Sequence, residues 1–139
     1  MPNKTMVILQ NKANSGKTST LRELANILTH KNTYTALEGN LSKGDFIIKT
    51  SYKSKTIIII SMGDIDTLLE KKYKKVWDEY SNIDIIFGAC RTKGGTIAVV
   101  KEQAKDKGFD VIWTSTYKNK AYQANLNKKR ANELFNGFC

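Results

Sequence analysis

The chain is poor in the residues that interrupt a fold or cross-link it. Its 139 residues include one proline and two cysteines. The proline, Pro2, lies at the very start and leaves the rest of the chain free to form regular helices and strands. Cys90 and Cys139 do not have the spacing of a disulfide framework or of a zinc site. We therefore expect a protein of a reducing compartment, and cytoplasmic localisation is the simplest expectation.

Long apolar runs are also lacking. A run such as 57–60 has the length of a β-strand and is much too short to span a membrane. The first residues do not form the apolar core of a signal peptide, because Lys12 and Lys17 interrupt them. No membrane partner is therefore expected.

Acidic residues are outnumbered. The chain has 23 lysine and arginine residues against 13 aspartate and glutamate residues, a formal net charge of +10. This excess favours anionic partners, among which nucleotides and nucleic acids are the main classes. The basic clusters fall on predicted helices, where a solvated face is the simpler explanation, and no RNA-binding or zinc-finger motif accompanies them. Nucleic acid, or another anionic partner, is kept as an alternative.

Apolar runs alternate with amphipathic stretches, which predicts an α/β fold. A short polar link between two β-rich runs, 45–52 and 56–61, predicts an antiparallel hairpin. The polar segment 32–44 is the best candidate for a mobile loop. We expect a single domain, residues 1–139, built as a three-layer sandwich with a mostly parallel sheet and one antiparallel strand. The further predicted strands are 6–10, 83–89 and 109–114, and the predicted helices are 17–30, 62–82, 96–107 and 120–136.

The junction of the first strand and the first helix carries the clearest functional signal. The loop of residues 11–18 ends in Gly16-Lys17-Thr18 and leads directly into an amphipathic helix. The N–H groups of such a loop and the positive end of the helix attract phosphate, a lysine adds charge, and a hydroxyl coordinates magnesium. An incidental Gly-Lys-Thr, in which Ser15 or Thr18 caps the helix, is the alternative. The candidate binding residues are Asn11, Asn14, Ser15, Gly16, Lys17, Thr18 and Ser19.

Three further stretches are expected near this loop, because open α/β sheets bind ligands at the carboxyl ends of their strands. In 61–64, Asp64 is a candidate for holding magnesium or its water, and a helix cap is the equal alternative. In 90–96, Arg91 lies near two glycines and is a candidate for contacting a phosphate or stabilising transferred charge. Its alternative is a flexible basic loop. The third stretch, 114–119, either packs against a nucleotide base or makes a structural turn.

Residues 6–18 resemble the P-loop NTPase superfamily, and the order of strands and helices extends the resemblance over most of the chain. Lys17 and Thr18 match the motif position by position, whereas Asn11 stands at its first glycine and Asp64 lies beyond the strand end at Ser61. The resemblance implies ATP, or another nucleoside triphosphate, bound with magnesium. Lys17 and Thr18 would contact the phosphates, and Thr18 and Asp64 the metal.

The branch of that superfamily is left open by the sequence. The hairpin before the acidic segment is similar to the layout of small GTPases, but 60–63 and 89–92 lack the GTPase motifs that should stand there. Small nucleotide kinases are similar in size, although no acceptor-binding insertion is evident. The sequence favours an enzyme that hydrolyses ATP or transfers its phosphoryl group, with Lys17, Asp64 and Arg91 as catalytic residues. The alternative is a nucleotide-sensing or nucleic-acid-binding regulatory module without turnover.

Overall fold

The architecture follows from a computed structural model that describes residues 4–12, 15–30 and 32–139. Among the described helices, none is long and apolar enough to cross a lipid bilayer. Within these residues the strands are β1 (Thr5–Gln10), β2 (Tyr34–Glu38), β3 (Ile47–Tyr52), β4 (Lys55–Ile60), β5 (Ile85–Cys90) and β6 (Asp110–Thr114). The helices are α1 (Lys17–Thr29), α2 (Asp66–Glu79), α3 (Gly95–Lys107) and α4 (Gln123–Phe138).

The strands form one mixed sheet in the order β2-β3-β4-β5-β1-β6. The neighbours β4, β5, β1 and β6 run parallel, whereas β3 is antiparallel to both β2 and β4. Parallel strands need long crossover connections, which α2 provides between the neighbours β4 and β5, and which α3 provides from β5 past β1 to β6. The predicted hairpin and the mostly parallel sheet are therefore confirmed.

Helices cover both faces of the sheet and complete the three layers. Because successive strand side chains point to opposite faces, β1 contributes to two separate cores. Met6 and Ile8 pack with residues of α2 and α3, and Val7 and Leu9 pack with residues of α1 and α4. The isoleucines at 57–60 are fully buried, as expected for a strand in the interior of the sheet.

The segment 32–44 differs from its prediction. Residues 34–38 form β2, which pairs with β3 at the edge of the sheet and contains an irregularity between Ala36 and Glu38. Most of this strand is exposed, so its sequence has no apolar alternation that would distinguish it from a polar loop. Pairing with β3, rather than local preference, makes it a strand.

The strand β1 lies where the connections of the sheet change direction. The loop after β1 leads into α1 on one face, whereas the loop after its neighbour β5 leads into α3 on the other face. Two adjacent loops that leave in opposite directions open a crevice at the carboxyl ends of their strands. Asn11 and Lys12, which follow β1, and Gly16, which precedes α1, lie at this crevice.

Candidate functional site

Gly16 makes the turn from the loop into α1. Its backbone is left-handed, with φ 83° and ψ 12°, a conformation that costs an ordinary residue about 1–2 kcal/mol. Packing adds a second requirement, because a Cβ at this position would lie 2.6 Å from Asn127 Oδ1 and 2.7 Å from Gln123 Nε2. Both partners belong to α4, so this helix closes over the loop and only glycine fits beneath it.

Lys17 folds back into the loop that precedes it. Its side chain is 5% exposed, and Nζ donates to the carbonyl oxygens of Asn11 (2.6 Å) and Lys12 (3.2 Å). Nζ also lies 3.2 Å from Oδ1 of Asp64, which follows β4. A buried ammonium needs such partners to offset its lost hydration. The positive charge is thereby held inside the curve of the loop, at the carboxyl edge of the sheet.

The first turn of α1 adds unpaired donors beside this charge. The first helical bond runs from the N–H of Thr20 to the carbonyl of Gly16, and no side chain caps the helix. The N–H groups of residues 17–19 therefore have no acceptor within α1, and the positive end of the helix dipole lies there. These are the groups that favour an anion at a helix N-terminus.

A cavity of about 160 Å³ opens in front of these donors. Ligand pockets for whole small molecules measure roughly 300–1,000 Å³, so this cavity has the size for phosphate groups rather than for an entire nucleotide. A larger cavity of about 370 Å³, which Thr5, Lys53 and Phe138 help to line, contains none of the predicted site residues. The smaller cavity is lined by Ser15, Gly16, Lys17, Thr18, Ser19 and Asp64.

Thr18 is adjacent to a carboxylate that the sequence did not single out. Its Oγ1 lies 3.3 Å from Asp45 Oδ1 and 3.4 Å from the carbonyl oxygen of Ser61. The Ser61 hydroxyl donates to the same Asp45 oxygen (3.1 Å) and accepts the N–H of Phe46 (2.8 Å). The hairpin contained the signal for Asp45, because pairing of Ile47 with Ile60 places residue 45 near the strand end at Ser61.

Asp64 reaches the site through Lys17 rather than through Thr18. Its side chain is half exposed and forms the ion pair with the Lys17 ammonium. The helix-cap alternative is not realised, since the N-cap residue of α2 is Ile65 and no side-chain cap bond is present there. Asp66, the first residue of α2, accepts the N–H of Thr67 (2.8 Å). The predicted metal role of Asp64 stays a prediction.

The loop after β5 joins the site through its backbone. The N–H of Asn11 donates to the Cys90 carbonyl (3.2 Å), and the Arg91 N–H donates to Oγ1 of Thr96 (3.0 Å). Arg91 itself is exposed and does not line the cavity of 160 Å³. The structure therefore brings this loop to the predicted edge, and the role of the guanidinium stays a prediction.

The stretch 114–119 supports the loop from the other side. Thr116 is 6% exposed, and its hydroxyl donates to the Ser15 carbonyl (2.6 Å) and accepts from Nδ2 of Asn11 (3.1 Å). Asn11 also accepts the N–H of Lys12 through Oδ1 (2.8 Å), so its side chain braces the turn where the motif has glycine. The sequence placed the stretch 114–119 near this loop but did not single out Thr116, because a hydroxyl-rich stretch is equally typical of an ordinary turn.

Cys90, the last residue of β5, has an unreactive thiol. It is fully buried, and burial raises the pKa of its thiol from 9.0 to about 11, against a smaller lowering by the Lys17 charge. The thiol therefore stays protonated at neutral pH, and a thiolate nucleophile is not available there. Among the remaining predicted residues, Ser19 is exposed on the first turn of α1, and Asn14 lies outside the described residues.

The described side chains do not form a metal site made of protein groups alone. Within 4–12, 15–30 and 32–139, no three or more histidine, cysteine, aspartate or glutamate side chains come together as a metal-binding group. Magnesium commonly takes only one or two protein carboxylates and completes its shell with water and phosphate oxygens. The hydroxyl of Thr18 beside Asp45 fits that partial donor set.

Comparison of the chain with protein-family models, with curated proteins and with solved structures gave no match. We therefore infer its function from the geometry of the loop and its neighbours. A buried ammonium, unpaired helix N–H groups and a nearby hydroxyl–carboxylate pair together form a site suited to a phosphate group with a divalent cation.

Proposed function

We propose that the chain binds a nucleoside triphosphate, ATP with magnesium, at residues 11–19 and hydrolyses it or transfers its terminal phosphoryl group. The observation that supports this most is the placement of the Lys17 ammonium. It is buried inside a strand–loop–helix turn, directly before the free N–H groups of α1. Phosphate is the ligand whose charge and oxygen geometry suit both groups. ATP is favoured over GTP because the guanine-reading motif is missing from the sequence.

Binding requires Lys17 to exchange partners. Its three donors are engaged by the carbonyl oxygens of Asn11 and Lys12 and by Asp64. A phosphate oxygen would replace at least one of these acceptors and give a charge-assisted hydrogen bond of greater strength. The N–H groups of residues 17–19 would hold the same phosphate without moving, because α1 fixes them.

The distance between the side-chain oxygens of Thr18 and Asp45 suits a shared magnesium ion. Adjacent ligand oxygens of octahedral magnesium lie about 3 Å apart, given metal–oxygen distances of roughly 2.0–2.1 Å. Thr18 Oγ1 and Asp45 Oδ1 are separated by 3.3 Å, so a small shift brings both into one coordination shell. When bound there, magnesium would neutralise charge on the phosphate oxygens. Asp64, the residue that the sequence predicted for this role, is the alternative, because it lines the cavity of 160 Å³ together with Thr18, whereas Asp45 lies outside that lining.

Arg91 is proposed to act on the transition state. Its loop follows Cys90, whose carbonyl accepts the N–H of Asn11 in the loop between β1 and α1, here named the phosphate loop, while the Arg91 side chain is exposed. A guanidinium that reaches the cavity after nucleotide binding would stabilise charge on the transferring group. The chain would then lose turnover, more than affinity, when this residue is removed.

Phosphate release from a panel of four nucleotides, with magnesium and with or without added acceptors, tests the proposal. We expect ATP turnover that Arg91→Ala lowers by roughly tenfold or more while nucleotide affinity changes little. Lys101→Ala is the matched control, because Lys101 is an exposed cation on α3. Unchanged turnover in Arg91→Ala removes this residue from the mechanism.

The second candidate is a nucleotide-sensing module without turnover. The exposed position of Arg91, which does not line the cavity, favours it, because a protein that only senses a nucleotide needs no guanidinium on the transferring phosphoryl group. Tight nucleotide binding with no phosphate release or transfer from any member of the panel would establish this candidate and contradict the enzyme.

A further inference from the structure

The segment after β6 is a compact turn that projects side chains outward. The Gln123 amide closes it by donating to the Tyr117 carbonyl (2.8 Å) and by accepting the Asn119 N–H (3.1 Å). Asn119 accepts the N–H of Ala121 through its side chain (3.0 Å) and that of Tyr122 through its carbonyl (3.2 Å). The turn 117–123 is thus built by its own polar groups, and Lys118, Lys120 and Tyr122 are all exposed on it.

The cations of this turn crowd together without carboxylate partners. The Lys118 pKa is lowered chiefly by the neighbouring Lys12 side chain, and further by desolvation and by the charges of Lys12 and Lys120. In the described part of the chain, none of these three lysines forms an ion pair with an acidic residue. Like charges placed this closely repel each other unless an anion lies between them.

Lysines of α2 show the contrasting arrangement. Lys72 and Lys75 both pair with Glu38 of β2, and Lys74 pairs with Asp78 one turn further along the helix. Three lysines of α2 are therefore neutralised within the protein, whereas the lysines around 117–123 keep their full charge on the surface.

Aromatic rings accompany these cations. Tyr122 is 64% exposed, and its ring makes no aromatic or cation contact with any described residue. Tyr117 is held in place, with Lys129 and Arg130 over its ring at 5.7 Å and its hydroxyl bonded to Glu133 (3.1 Å). A free ring beside unpaired cations is the pairing that binds single-stranded nucleic acid, by base stacking and by phosphate contacts.

We infer that the turn 117–123, together with Lys12, binds single-stranded nucleic acid, with Lys12, Lys118 and Lys120 on phosphates and Tyr122 stacked on a base. The surface adjoins the phosphate loop, because Thr116 bonds to Ser15 and to Asn11. Its binding does not depend on nucleotide turnover and is measured without nucleotide.

Fluorescence anisotropy with a labelled oligothymidylate of about 12 nucleotides tests this inference, since single-strand sites span roughly 4–16 nucleotides. The variant Lys118→Gln/Lys120→Gln removes two cations of the turn, and Lys101→Gln/Lys105→Gln removes two exposed cations of α3. We expect the first variant to weaken binding about tenfold or more, and the second about twofold. The slope of log affinity against log salt should fall by about 1.4 in the first variant, at roughly 0.7 for each phosphate contact.

Tyr122→Leu separates base stacking from charge. Loss of one stacked base should weaken binding at least fivefold at every salt concentration, with an unchanged salt slope, because no phosphate contact is lost. Circular dichroism confirms that each variant is folded. An oligouridylate of equal length tests RNA in the same way, and its binding counts equally in support.

Several results would overturn the inference. They are no binding of either oligonucleotide at low salt, equal losses in the two double variants, and full affinity in Tyr122→Leu. Stronger binding of a duplex of equal length, or equally strong binding of inorganic polyphosphate, would show that the surface recognises charge and not single-stranded bases.

Discussion

At the scale of single residues, the two carboxylates of the site, Asp45 and Asp64, contact different groups. Asp45 lies beside the Thr18 hydroxyl, and Asp64 is paired with the Lys17 ammonium. The sequence pointed to Asp64 because it follows the most apolar strand. The structure adds Asp45, because the antiparallel hairpin returns the start of β3 to the end of β4.

Asparagine substitutions distinguish the two carboxylates. In Asp45→Asn, the magnesium concentration that half-saturates nucleotide binding should rise about tenfold, an effect of about 1.4 kcal/mol on the ion, because a charged ligand is lost. In Asp64→Asn we expect the same magnesium concentration to change by no more than about threefold, since Asp64 acts on the site through its half-exposed ion pair with Lys17. Nucleotide binding titrated with magnesium at fixed ATP measures both, and the opposite order would assign the metal to Asp64.

Cys90 makes the unfolding free energy of the protein depend on pH in the alkaline range. Because burial raises the pKa of this thiol from 9.0 to about 11, the unfolded chain loses the thiol proton before the folded chain does. The stabilising contribution is therefore fully present below pH 9 and is lost as pH rises through 11. Two pKa units correspond to about 2–3 kcal/mol.

Chemical denaturation at pH 8 and at pH 10.5 measures this contribution. Cys90→Ala should lose less stability between the two pH values than the unmodified chain, by about 2 kcal/mol, because alanine has no proton to lose. Groups that do not interact with Cys90 titrate equally in both proteins and cancel in the difference; Tyr73, whose pKa is raised by burial and further by Cys90, is the neighbour that does interact with it. Identical losses in the two proteins would show that the Cys90 thiol titrates normally.

At the scale of elements, α4 packs against the proposed phosphate loop although it is distant from that loop in sequence. Asn127 of α4 accepts the Thr20 hydroxyl (3.3 Å) and the Gln123 amide (2.7 Å), and both α4 residues lie against Gly16. A loop that is braced by another helix is pre-organised, so less conformational entropy is lost when a ligand binds.

Two glycine substitutions measure how much the packing of α4 against Gly16 restricts this position. Gly16 and Gly108 both have a positive φ, 83° and 76°, but a Cβ at Gly108 would meet nothing within 4 Å. Gly108→Ala should therefore cost only the backbone strain of about 1–2 kcal/mol. Gly16→Ala should cost at least about 1 kcal/mol more, because the added methyl displaces Asn127 and Gln123. Equal losses of unfolding free energy in denaturant titrations would show that α4 does not press on the loop.

The elements that could be predicted are those with strong local patterns. The hairpin, the central parallel strands and the helices were found by their apolar spacing, and only their bounds shifted by a few residues. The edge strand β2 was missed because exposed residues carry no such pattern. Its partner strand decides its conformation, and that partner is distant in the chain.

The residues of the candidate site also differ in how far the sequence predicted them. Gly16, Lys17 and Thr18 form a contiguous motif, and their neighbourhood follows from the strand–loop–helix order. Asp45 and Thr116 reach the site through tertiary contacts, and the sequence indicated only the hairpin and the stretch 114–119 that carry them. The structure was needed to identify the individual side chains.

At the scale of the whole molecule, the order of strands decides where the candidate ligand crevice opens. Because α1 and α3 leave adjacent strands toward opposite faces, the loops after β1 and β5 are spread apart at one edge. The loops after β4 and β6 approach the same edge through Asp64 and Thr116. The net charge of +10 attracts anions to the whole surface. This edge attracts them further where its cations are not paired with carboxylates.

Calorimetric titration with ATP and magnesium tests the central claim, that the loop around Lys17 is a phosphate site. We compare the unmodified chain with Lys17→Ala, with the milder Lys17→Gln and with the control Lys101→Ala, and we verify by circular dichroism that each is folded. The unmodified chain and the control should bind alike. Both Lys17 variants should bind about a hundredfold more weakly, or about 2.7 kcal/mol, because the buried ammonium is lost. Unchanged affinity in a folded Lys17 variant, or no binding by the unmodified chain, would contradict the claim.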